Sequence, residues 1–327
     1  MIASGEDVAG EPRVSVLVAE QAESLRKNGL DVQVGVVDDR SSLTGIRRNI
    51  RRLRDEVAGL GPRVVHAQYG SVVGLVGCLA AGGTPFVISF CGSDLFGTHH
   101  PGWRPRAREF LGRRFGLWAA HRAAHVIAKS GNLADALPAS VRGKTTIVPN
   151  GVDLSLFTIQ PRDECRSLLG WPLEKRIILF NASQRDSRLI KNPHLARAAV
   201  SLVKKDMPEA ELRTLSSAPR EQVCRMMNAA DCLLCTSLHE GSPNVVKEAM
   251  ACNLPVVSVP CGDVRERLDG VEPGGVYPYD PAALAGGLRA ALDVGRRSNG
   301  RDALERQGLG SDSIAQRLIG IYETVAA

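Results

Sequence analysis

The stretch His239-Glu240-Gly241-Ser242-Pro243-Asn244-Val245-Val246-Lys247-Glu248-Ala249-Met250-Ala251 decides how this chain reads. Just before it, Leu233 to Leu238 is a mostly apolar run of strand length, the pattern of a parallel strand buried on both faces. After Pro243 the pattern predicts a helix over Asn244–Ala251, then a second apolar strand over Pro255–Val259. Glu240 therefore falls at the carboxyl end of a strand, and Glu248 about one turn inside the following helix. The amino end of that helix offers unpaired N–H groups to an anion, and ligands of open α/β sheets bind at this rim. Carboxylates beside an anion site are costly unless they act, by holding sugar hydroxyls or balancing developing positive charge. Taken singly, each glutamate reads more plainly as a solvated loop acid or a helix-end charge. The argument for a site rests on the whole string.

Outward from this segment, short apolar strands alternate with helical stretches, which argues for βα units and parallel sheets. Strands are predicted at Asp31–Val37, Val64–Ala67, Phe86–Phe90, His125–Ala128 and Thr145–Val148, with helices over Leu17–Asn28 and Arg47–Ala58. The alternation restarts with strands at Arg176–Asn181, Leu212–Leu215, Asp231–Thr236 and Gly275–Tyr277 and helices over His194–Lys205, Glu221–Asn228 and Pro281–Leu292. Two Rossmann-like domains are expected, joined near Asn150 to Leu173. A length of 327 residues suits two cores better than one.

Composition is that of a globular protein, with 44% hydrophobic and 23% charged residues. The longest apolar run, Val72–Phe90, is broken by glycines and Pro85, so no membrane span is predicted. The first residues have neither a basic region nor an apolar core, so a signal peptide is not expected and the cytoplasm is. Eight cysteines are scattered without a framework. Cys232 and Cys235 lie inside an apolar strand, where small buried side chains are a better account than metal or redox chemistry. Residues 1–150 hold 19 Lys+Arg against 13 Asp+Glu, and residues 151–327 hold 22 of each, so the amino half carries the whole +6 excess.

The central segment resembles the E-x7-E signature of retaining glycosyltransferases of the GT-B fold, family 4. Further matches are Ala230-Asp231, Thr236-Ser237, Pro255-Val256-Val257, Val65-His66-Ala67, Gly92-Ser93-Asp94 and Val148-Pro149-Asn150-Gly151-Val152-Asp153. The resemblance implies an α/β GT-B architecture, two Rossmann-like domains with parallel sheets facing a central cleft. Residues 1–150 would bind the acceptor and residues 151–309 the nucleotide sugar, with a final helix at about 310–327 completing the first domain. It implies metal-independent transfer with retention, in polysaccharide biosynthesis or similar chemistry, and no cofactor beyond the nucleotide-sugar substrate. Glu240 would contact the transferred sugar near the reacting carbon and Glu248 the ribose hydroxyls. Arg188 and Lys191, by their spacing to Asn192, would meet the diphosphate, with Arg185 the weaker choice. The helix amino end, Gly241, Ser242, Pro243, Asn244 and Val245, completes the expected donor site with its backbone N–H groups, Pro243 lacking only one that would have no helical partner.

Two departures from the family pattern bear on function. Relatives place a histidine where this chain has Cys91, so the acceptor contact is left to Asp94, read as catalytic or as a helix cap. Asn253 replaces a turn glycine, a position asparagine tolerates. The opening is also short: Met1-Ile2-Ala3-Ser4 and a loop containing Gly5 and Gly10 stand where relatives have a full first strand, so that strand reads as truncated. A non-catalytic sugar-nucleotide-binding or scaffold protein derived from a transferase is the alternative function.

The basic excess concentrates in Arg47–Arg54 and in Trp103–Arg122. In the second stretch, Arg104, Arg106, Arg108, Arg113 and Arg114 mix with Trp103, Phe110, Leu111, Phe115 and Trp118. An aromatic stripe facing the core with a solvated arginine face is the preferred account. Peripheral association with an anionic membrane at the inner face of the plasma membrane also fits, with a lipid-linked acceptor. His66 reads as a packed histidine. No nucleic-acid motif accompanies the basic pI, so a nucleic-acid partner is not expected.

Overall fold

The computed structural model describes residues 1–8, 11–97, 103–181, 190–215 and 218–327. It divides into two compact units, residues 1–151 with 311–327, and residues 152–310. The first unit runs β1 (Ile2–Val8), β2 (Glu11–Val14), α1 (Val16–Lys27), β3 (Gly35–Val37), α2 (Leu43–Leu60), β4 (Val65–Ala67) and α3 (Ser71–Ala81). It continues with β5 (Phe86–Phe90), α4 (Ser93–Phe96), α5 (Trp103–Arg122), β6 (His125–Ala128), α6 (Gly131–Asp135), α7 (Ala139–Arg142) and β7 (Thr145–Ile147). The second holds α8 (Arg162–Leu169), β8 (Arg176–Asn181), α9 (Pro193–Val203), β9 (Ala210–Leu215), α10 (Arg220–Ala229), β10 (Cys232–Cys235) and α11 (Asn244–Ala251). After these come β11 (Val256–Ser258), α12 (Val264–Arg267), β12 (Gly274–Val276), α13 (Pro281–Val294) and α14 (Gly300–Arg306). The closing helix α15 (Ser311–Ala326) returns to the first unit.

Each unit is built on a parallel sheet. The first has the order β1-β4-β5-β6-β7, with β3 on the other side of β1, and the second β12-β11-β10-β8-β9. Apolar runs make the central strands: all of Phe86–Phe90 is buried, as are Ile177–Phe180 and Cys232–Cys235. Strands covered by helices on both faces select this continuous pattern over an alternating one.

The first strand corrects the sequence reading. Ile2, Ala3 and Ser4 pair in parallel with Gly35, Val36 and Val37, and Ile2 also pairs with Ala67, so the central position is filled. Ile2 and Ala3 are buried there. Gly5 to Val8 then turn away to pair antiparallel with Glu11 to Val14, a hairpin the sequence pattern did not predict.

Helix α3 was also hidden in the sequence, inside the apolar run. Its glycines read as breaks, yet they let the helix lie close on the sheet. A Cβ at Gly74 would stand 2.6 Å from the Ile88 side chain, and one at Gly77 3.0 Å from the Ala67 methyl. Close packing here outweighs the helix cost of glycine, about 1 kcal/mol each.

The aromatic stripe of α5 is corrected in part: Trp118 packs against the core as expected, but the first aromatic residues do not. The buried face of α5 is Gly112, Gly116, Ala119 and Ala120, packed on α3, while Trp103 is 74% and Phe110 62% exposed, with Leu111 half exposed. Small residues make the contact with α3, Trp103, Phe110 and Leu111 stay exposed, and Leu117 and Trp118 are partly buried against the core.

Helix α15 packs on α1, burying Ile314, Ala315 and Leu318. Ser24 Oγ donates to the Ser311 carbonyl at 3.0 Å, and Arg317 donates to the carbonyl of Ile147 at 2.6 Å.

Candidate functional site

In the second unit, the C-terminal ends of β8 and β10 meet. Residues 182–189, which contain Arg185 and Arg188, lie outside the described residues. The chain past them is held firmly: Leu238 N–H donates to the Ile190 carbonyl at 2.8 Å, and Thr236 Oγ1 donates to the carbonyls of Lys191 at 2.8 Å and Asn192 at 3.0 Å. Asn192 takes a left-handed backbone, φ +50°, and Pro193 opens α9. These ties put Lys191 Nζ 2.5 Å from Glu240 Oε1. Burial works against the Lys191 charge, but the field and hydrogen bond of Glu240 more than offset it and hold the ammonium above its usual range.

Below Glu240 the turn after β11 acts as a support. Gly262 has φ +59°, and a Cβ there would stand 2.3 Å from the Gly241 carbonyl oxygen. Asp263 N–H donates to that oxygen at 3.2 Å. Tyr279 Oη donates to the Ser237 carbonyl at 3.0 Å and fixes the chain on the other side. Pro243 then caps α11, whose residues Val245 to Ala251 are all buried. Asn244 Oδ1 is buried with no hydrogen-bond partner among the described residues. Asn253, at the end of the helix, has φ +53°, the conformation for which an asparagine was expected to serve.

Glu248 is 6% exposed at its side chain and receives Arg220 Nη1 on Oε1 at 2.8 Å. Sequence reasoning missed Arg220. It stands 28 positions from Glu248 with no shared motif, and only the fold joins α10 to α11.

In the first unit, Asp94 at the start of α4 is buried, and its oxygens accept from the N–H groups of Gly70 at 2.8 Å, Cys91 at 3.0 Å and Gly92 at 2.8 Å. Burial raises its pKa, and these donors oppose the rise. The geometry is that of a tie between two loops at the sheet rim, with both carboxylate oxygens engaged. The Cys91 thiol donates to the Gln68 carbonyl at 3.8 Å, and burial first, then the Asp94 carboxylate, pushes it up to about 12. Such a thiol stays protonated at neutral pH and is a poor copy of imidazole. His66 is packed as expected, Nδ1 2.6 Å from Tyr322 Oη and Nε2 2.8 Å from Ser89 Oγ.

Cys232 and Cys235 are buried in β10, and Cys235 Sγ lies 3.8 Å from the Cys261 thiol. Among the described residues no three His, Cys, Asp or Glu side chains are grouped to hold a metal.

Known proteins resemble this chain in sequence and in fold. Residues 12–156 match Glycosyltransferase Family 4, and residues 187–293 match Glycosyl transferases group 1. A protein of Bacillus subtilis named as the teichuronic acid biosynthesis glycosyltransferase TuaC is 25% identical over 241 residues, 69% of this chain and 60% of its own length. D-inositol 3-phosphate glycosyltransferase 1 of Catenulispora acidiphila is 28% identical over 304 residues, 80% of this chain and 72% of its own. The sucrose-phosphate synthase structure from Thermosynechococcus elongatus superposes with TM-score 0.74 at 16% identity, covering 99% of this chain and 98% of that one. Anabaena HepE, solved in complex with UDP-glucose, superposes with TM-score 0.70 at 19% identity and 99% coverage of both chains. The chain belongs to the family 4 glycosyltransferases and has the GT-B fold of two Rossmann-like domains.

Proposed function

We propose that this chain moves a sugar from a nucleotide-sugar donor held by its second domain to an acceptor held by its first. In this reading transfer proceeds with retention and without a bound metal. The observation that carries it is the Lys191–Glu240 pair at the rim of the second sheet, beside the amino end of α11. The breaking glycosidic bond puts negative charge on the diphosphate and positive charge on the anomeric carbon. Lys191, Arg188 and the N–H groups around Gly241 to Val245 would meet the first charge. Glu240 would face the second, exchanging its ion pair for the sugar as the diphosphate draws Lys191 away. Glu248 would accept from the ribose hydroxyls. Asp94 would hold the loops that shape the acceptor side. UDP-glucose in HepE supports a nucleoside-diphosphate sugar as donor.

For the acceptor, a lipid-linked sugar at the inner face of the plasma membrane fits the first domain best. Exposed Trp103, Phe110 and Leu111 stand among the arginines of α5, the chemistry of an anionic bilayer surface. No helix among the described residues is long and apolar enough to cross a membrane.

The test is a thermal-shift panel of UDP, GDP and ADP sugars, followed by turnover of the stabilising donor. A binding donor stabilises the protein in proportion to its affinity. Glu240→Gln should bind that donor and lose turnover by about a hundredfold or more. A well-folded protein that no nucleotide stabilises, or a Glu240→Gln variant at the wild-type rate, overturns the proposal.

A further inference from the structure

We infer that Arg220 is a positioning residue of the donor site: it fixes the Glu248 carboxylate so that the enzyme selects ribose over deoxyribose in the nucleotide. The inference rests on the reading above that Glu248 receives the ribose hydroxyls. Arg220 is the first residue of α10, following Pro219, and its guanidinium lies 4.7 Å from the ring centroid of Phe157. Phe157 is fully buried, so packing fixes the ring beneath the guanidinium. A planar cation stacked on a fixed ring can present its N–H fork in few directions. One of them reaches Glu248 Oε1 at 2.8 Å. Glu248 sits in a helix whose neighbouring side chains are all buried. Its carboxylate is nearly enclosed, and a charge so placed needs a partner. With Oε1 held, Oε2 is the oxygen presented to a vicinal pair of hydroxyls.

Lysine at this position keeps the charge but loses the fork and the stacking. Glutamine keeps hydrogen bonding and loses the charge. Both are chosen over alanine, because truncation leaves the buried carboxylate unpaired and threatens folding.

The experiment measures affinities of UDP, GDP and ADP and of their 2′-deoxy counterparts by calorimetry. The proteins are wild type, Arg220→Lys, Arg220→Gln and Glu248→Gln, each checked for folding by circular dichroism. Wild type should prefer the ribonucleotide it binds by about tenfold or more, the value of a hydrogen bond to a charged group. In both Arg220 variants the ratio should fall to about threefold or less, while the deoxynucleotide affinity changes little. General loosening of the site would weaken both nucleotides alike and leave the ratio intact. A ratio retained in both Arg220 variants but lost in Glu248→Gln overturns this inference alone. A wild type without ribose preference overturns the assignment of Glu248 and this inference with it.

Discussion

Lys191 and Glu240 show what a single contact can do. At 2.5 Å and mostly buried, the pair is charge-assisted and stronger than a surface ion pair. Because Lys191 titrates above its usual 10.5, its ammonium persists through the neutral range and is lost as pH rises past that value. Lys191→Met should therefore weaken the binding of the stabilising nucleoside diphosphate by about 10- to 100-fold, measured by calorimetry at neutral pH. A loss below about threefold removes Lys191 from the diphosphate site. His66 makes a different prediction at the same scale. Burial first, then the charges of Lys129, the chain amino terminus and His125, hold its pKa well below 6.5. The folded imidazole stays neutral while the unfolded one takes a proton below about 6.5. Its contribution is thus complete above that pH and is lost as pH falls toward the folded pKa, by up to about 1.4 kcal/mol per pH unit. Denaturant midpoints at pH 7.5 and 5.5 should fall less in His66→Gln than in wild type. Equal falls would assign the acid sensitivity to other groups.

The elements that matter most for the site are the short turns beneath it. The turn from β11 to α12 presses Gly262 under Gly241, and no side chain fits between them. Gly262→Ala meets both a left-handed backbone and a carbonyl oxygen, and should cost about 2 kcal/mol or more. The strain falls on the loop carrying Glu240, so donor affinity should drop along with the denaturant midpoint. A variant with both unchanged would show that this turn does not support the loop. The packing of α5 on α3 uses the same device, with Gly112 against Ser71 and Gly116 against the chain at Gly70–Ser71. Small residues there bring the helices together, while Trp103 and Phe110 near the start of α5 stay exposed.

At the scale of the whole molecule, the chain crosses back once, and α15 completes the first unit from the far end of the sequence. Removing residues 311–327 takes Tyr322 from His66 and bares the α1 face around Leu25. The first unit should lose stability by several kcal/mol, while nucleotide binding by the second is retained. Loss of nucleotide binding at a temperature where the second unit stays folded would contradict this division of labour. Membrane attachment also belongs to this scale. Vesicles of phosphatidylcholine containing phosphatidylglycerol should bind the protein, and Arg104→Glu with Arg108→Glu should weaken binding by about 1 kcal/mol or more per residue. Trp103→Ser should weaken it without altering its salt dependence. Equal binding to neutral vesicles would assign the patch to another partner.

The sequence alone determined the strand–helix alternation, most strand positions, the two-domain organisation and the family. Each is written in short-range patterns: apolar runs bounded by turns, and a thirteen-residue string with its own signature. It obscured α3, where the helix is apolar throughout and glycine serves packing rather than a break. It misjudged the first half of α5, where Trp103 and Phe110 are exposed, because a stripe of aromatic residues reads alike whether it faces the core or water. Glu240 and Glu248 were legible as a pair by spacing, and Lys191 by the family resemblance of its loop. Their partners were decided only by the tertiary structure: Lys191 lies 49 positions from Glu240, and His66 lies 256 from Tyr322. Arg220 and Glu248 meet in the same way, through α10 and α11. Contacts of this kind have no local pattern, since they come from how helices pack on a shared sheet, and the turn that fixes one glutamate lies in a different βα unit from the arginine that fixes the other.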